Sequence, residues 1–74
     1  MLKQRFPGLS DADLAAYTAV TRRVLAAGAQ RARAMREVMA LADAAKRHRA
    51  RNEPLAPEQD EALRYLRAIE KMQA

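Results

Sequence analysis

Arg33, Arg36, Arg47 and Arg51 are the residues of this chain whose type and spacing best suit chemistry. At about 100° per residue they share an arc of roughly 60° on a helix. Guanidinium groups aligned in this way grip phosphates or carboxylates through forked hydrogen bonds. Arg36 and Arg47 would stand about 16 Å apart along a helix axis at about 1.5 Å per residue, which suits backbone phosphates. They lie in the basic part of the chain. From Arg22 to Arg51 there are nine basic and two acidic residues, a net of +7, whereas residues 1–21 are neutral and residues 52–74 carry −2. A basic middle beside an acidic tail can bind an acidic partner, or can pair with itself in an oligomer.

The same residues have a purely structural role available. Lys46, Arg47, Arg49 and Arg51 fall in the last turn of a helix, where each cation is worth about 0.3–1 kcal/mol against the helix dipole. Asp43 is spaced to pair with Arg47, and Asp60 with Arg64, at the i,i+4 interval. The helix ending therefore comes first and the phosphate grip second. No aromatic residue lies among the arginines to stack on bases, which counts against single-stranded nucleic acid.

Other chemistry is poorly supplied. There is no cysteine, so neither a disulfide nor a thiolate metal site is available, and the only histidine is His48. A helical di-metal centre needs Glu-x-x-His pairs, and none is present. No metal ion and no other cofactor is expected. Ser10 is spaced as a helix cap, Thr18 and Thr21 have no histidine nearby in sequence, and nothing resembles a nucleophile elbow. The acids Asp11, Asp13, Glu58, Asp60 and Glu61 sit where helix first turns want negative charge. The expectation is a protein that is not an enzyme. A helix-turn-helix around Gly28 is also disfavoured, because Glu37 falls where that motif needs an apolar residue.

The elements that must hold these residues are helices. Pro7-Gly8 makes a turn, Ser10 then caps a helix with Asp13 three residues on, and Leu9 and Leu14 take the two places of a hydrophobic staple. A first helix spans about 10–27, with Leu14, Tyr17, Val20, Thr21, Val24 and Leu25 on its apolar side. Gly28 either breaks the helix in a left-handed conformation or kinks it; a break is expected. A second helix covers about 30–50, with Ala34, Met35, Val38, Leu41, Ala42 and Ala45 as its stripe. Asn52 is placed to cap its end, and Pro54 keeps Glu53 out of a helix. Pro57 suits the first turn of a third helix over about 57–73, whose stripe is Leu63, Leu66, Ile69 and Met72, flanked by Ala62 and Tyr65.

The fold class is all-α in a single helical domain over 1–74: a small three-helix bundle, or a bent helical hairpin, completed by oligomerisation. Oligomerisation is invoked because the core is thin. A chain of roughly 60 residues buries only about 60% of its surface, and 18 of the 74 residues are alanine, which adds little volume. The expected function is a small interaction protein, an adaptor or inhibitor-like regulator, whose partners are itself and another protein. Leu2, Phe6, Met39 and Leu55 are left over from the stripes and are candidates for apolar contact with a partner. The alternative is a nucleic-acid-binding accessory protein that uses the arginine arc. No apolar run is long enough to span a membrane, and the N-terminal stretch lacks a signal-peptide core. The location expected is cytoplasmic.

Overall fold

Ser10 sets the first helix. In the computed structural model, which describes residues 8–73, its side chain accepts a hydrogen bond from the Asp13 N–H at 3.1 Å. The helix α1 then runs Asp11–Ala26. Leu9, the residue ahead of the cap, is buried. Gly28 takes φ +56°, a left-handed conformation that costs an L side chain about 1–2 kcal/mol. The chain breaks there into a short 3₁₀ turn, Gly28–Gln30, as expected of this glycine, before entering α2, Arg31–Ala50.

The end of α2 is a Schellman motif built on Asn52, whose φ is +57°. The Asn52 N–H donates to the Arg49 carbonyl at 3.0 Å and the Glu53 N–H to the His48 carbonyl at 2.8 Å. Both bonds satisfy carbonyls that the helix leaves without partners. Pro57 opens α3, Pro57–Gln73, and the Gln59 side chain reaches back to accept from the Ala56 N–H at 2.9 Å. That reach-back bond is half of a capping box. The three helices thus start and stop where local chemistry directs.

The architecture is a compact three-helix bundle, and it is this rather than the bent hairpin that the chain adopts. The third helix is the central element. It packs closely on both α1 and α2, while α1 and α2 meet each other less. Asp13, near the start of α1, meets Lys71 near the end of α3, and Arg23 near the end of α1 meets Glu61 near the start of α3. These two helices therefore run antiparallel. The core gathers Val20, Val38, Ala42, Ala62 and Tyr65. Tyr17 and Tyr65 stack with ring centroids 5.8 Å apart and planes 14° from parallel, a favourable offset arrangement.

Two apolar stripes differ from the sequence pattern. Leu25, read as part of the α1 stripe, is 60% exposed, while Ala16 takes a buried place. In α3 the buried residues are Ala62, Leu63, Tyr65 and Ala68, and Leu66, Ile69 and Met72 are only half-buried. Periodicity assumes one buried face. This helix has two neighbours, and Tyr65 meets both, stacking on Tyr17 of α1 and facing Met35 of α2.

Candidate functional site

The charged residues divide between two places. The first is a clamp between α1 and α3. The Asp13 carboxylate is almost wholly buried, with its side chain 2% exposed, and Arg64, Arg67 and Lys71 converge on it at 3.3, 3.9 and 3.6 Å. These three cations recur at three- and four-residue spacing, so one side of α3 presents all of them. Arg64 also donates through Nε to Asp60 at 2.9 Å, and Lys71 donates to the Gly8 carbonyl at 3.1 Å. The hydrogen bond to Asp60, and then its charge, raise the Arg64 pKa above its ordinary value. Among the described residues no buried side-chain polar atom lacks a hydrogen-bond partner. The clamp is complete in itself. The sequence marks Asp13 as a first-turn acid three residues after the Ser10 cap, but not its charge partners, because they lie in another helix.

The second place is the outer side of α2. Arg33, Arg36, Arg47 and Arg51 are all exposed. Arg33 reaches Glu37 at 3.6 Å, and Arg51, which forms the helix C-cap, reaches Glu53 at 3.9 Å. Arg36 and Arg47 have no ion-pair partner among the described residues, and the pairing of Asp43 with Arg47 is not formed. Arg31 folds back instead, its Nε donating to the Gly28 carbonyl at 3.1 Å. His48 faces Glu53 at 3.2 Å beside the Schellman turn.

Beside this face lies an open groove of about 210 Å³ at the meeting of the three helices. Its floor is Val24, Ala34, Val38 and Leu41. Arg23, Glu37 and Glu58 stand at its rim, and Arg23 is paired with Glu61. The small Ala34 is one of the groove's lining residues.

No family model matches the chain, and neither does any curated protein or solved structure. Its function must therefore be read from the placement of its residues. Of the apolar contact candidates, Met39 is 40% exposed on α2 and Leu55 is half-buried in the loop before α3. Leu2 and Phe6 lie outside the described residues. Among the described residues no group of three or more His, Asp or Glu is placed to hold a metal ion, and no helix is long and apolar enough to cross a membrane. Two of the hydroxyls considered as nucleophiles have local roles. Ser10 caps α1, and Thr18 donates to the Leu14 carbonyl at 3.0 Å. Burial raises the pKa of the Tyr65 phenol, whose O–H points at the Met35 sulfur at 4.0 Å.

Proposed function

We propose that this protein is a non-enzymatic binding module, an adaptor or inhibitor-like regulator, that engages an acidic surface of a partner protein through the outer side of α2. One observation carries the reading: Arg36 and Arg47 stand exposed on one side of α2 without an ion pair among the described residues. The helix dipole favours Arg47 in the last turn but gives no reason for Arg36 in the second turn. It opposes Arg33, which sits in the first turn by about 0.3–1 kcal/mol. Helix-dipole stability accounts for Arg47 but not for Arg36 or Arg33.

The reading includes self-association and a cytoplasmic setting. Of the ten buried apolar residues five are alanine, so the core is thin even though the bundle closes. A core of this size rarely supplies more than about 3–5 kcal/mol. Sedimentation velocity of the purified chain tests this part: a species larger than one chain supports it, and a monomer at all concentrations removes it.

The second reading is nucleic-acid binding through the same arginines, favoured by the roughly 16 Å that separates Arg36 and Arg47 along the axis at about 1.5 Å per residue. Four phosphate contacts would give a log-affinity against log-salt slope of about −3.6 on duplex DNA. Affinity capture from the native lysate separates the two. The chain and its Arg36→Gln/Arg47→Gln variant are compared, with and without nuclease. A bound protein that survives nuclease and is lost with the double variant supports the first reading. Capture abolished by nuclease favours the second. Capture indifferent to the double variant rejects both.

A further inference from the structure

The groove and the arginines belong to one surface. At about 100° per residue, the lining residues Ala34, Glu37, Val38 and Leu41 occupy one arc of α2, and Arg33, Arg36 and Arg47 occupy the next. Ala44, half-buried, lies between the two arcs, and Ala40, exposed, lies among the arginines. A partner crossing α2 over Ala44 meets an apolar recess on one side and guanidinium groups on the other.

We infer that this surface receives an acidic amphipathic helix of a partner protein, with one large apolar side chain in the groove and carboxylates on Arg36 and Arg47. The inference rests on the acidic-partner reading above and adds the shape and chemistry of what binds. Groove size limits the occupant. Drug-sized ligands need about 300–1,000 Å³, so a recess of about 210 Å³ suits a side-chain anchor instead. Buried apolar anchors ringed by polar contacts carry most of the energy of such interfaces. Charge then selects the sign of the partner. Glu37 at the rim is already engaged by Arg33, and Arg36 and Arg47 remain unengaged. Glu58, on the far rim, has no ion pair among the described residues, so the acidic side of the occupant faces α2 and not α3.

Fluorescence anisotropy with three synthetic helical peptides of one length tests this. The first carries leucine on one face and glutamate beside it; the second replaces the leucines by alanine; the third replaces the glutamates by lysine. The first binds about tenfold or more tightly than either of the others. Ala34→Phe, which fills the groove, and Arg36→Gln/Arg47→Gln each weaken it by about tenfold, with the helical circular dichroism retained. Glu58→Gln leaves binding equal or tighter. The alanine peptide probes the groove without altering the protein, so a misfolded Ala34→Phe chain does not decide the matter. Tighter binding of the lysine peptide overturns the inference, as does failure of the leucine peptide to bind. Loss of binding with the arginine variant but equal affinity for the leucine and alanine peptides also overturns it, while leaving the acidic-partner reading standing. Sedimentation in which Ala34→Phe abolishes self-association assigns the groove to a second copy and overturns it too.

Discussion

The cations of α3 and those of α2 have the same chemistry and opposite situations. Arg64, Arg67 and Lys71 point at one buried carboxylate and bind two helices together. Arg36 and Arg47 point at water. The difference is not one of charge density, since α2 is the more basic helix. It lies in what faces them: α3 is covered by α1, which brings Asp13, whereas among the described residues no helix covers the outer side of α2. Charges facing an opposite charge in the interior hold a fold. Charges facing solvent contribute little to it and are available to a partner.

The sharpest break of that comparison is Asp13→Asn. Breaking a buried pair by removing one partner costs about 3–5 kcal/mol, but here the remaining cations are a third or more exposed and can return to water. A loss of about 2 kcal/mol is expected by urea unfolding. An effect below about 0.5 kcal/mol would mean that the clamp is ornamental. Removing cations one at a time should cost less. Lys71→Met and Arg67→Gln each lower stability by about 0.5–1 kcal/mol, because each is partly exposed and the others remain.

A smaller effect separates the clamp from the aromatic stack beside it. Burial raises the folded-state pKa of Tyr65 above the ordinary 10.0. The folded state therefore favours the neutral phenol. Its contribution is fully present below about pH 10 and is lost as pH rises through the raised value. Melting temperature should fall above about pH 10, and Tyr65→Phe should flatten that decline. A decline unchanged by the substitution would place its origin elsewhere. The smallest effect belongs to the other side of the comparison. Arg36→Gln/Arg47→Gln should change unfolding free energy by no more than about 0.5 kcal/mol while weakening partner capture. Destabilisation comparable to that of Asp13→Asn would show that these arginines too are committed to the fold.

Much of the fold was legible because helix boundaries are local. Ser10, Gly28, Asn52 and Pro57 act within a turn of themselves, and each stands at the boundary its chemistry implies. The arginine arc was legible for the same reason, since helical phase alone aligns Arg33, Arg36 and Arg47. Leu25 was misassigned because phase marks where an apolar residue points but not how far its neighbour extends. The pairing of Arg64 with Asp60 was legible at its i,i+4 spacing, but its reach to Asp13 was not: Arg64 and Asp13 are 51 residues apart, and no local rule joins them.

The sequence by itself determined three helices, their ends and the basic outer side of α2, because short-range hydrogen bonds and helical phase need only neighbours along the chain. Only the tertiary structure decided that α3 is the central helix, that Asp13 is buried among three cations, and that a groove opens beside the arginines. Those outcomes depend on which helix covers which, and that is settled by packing of side chains distant in sequence.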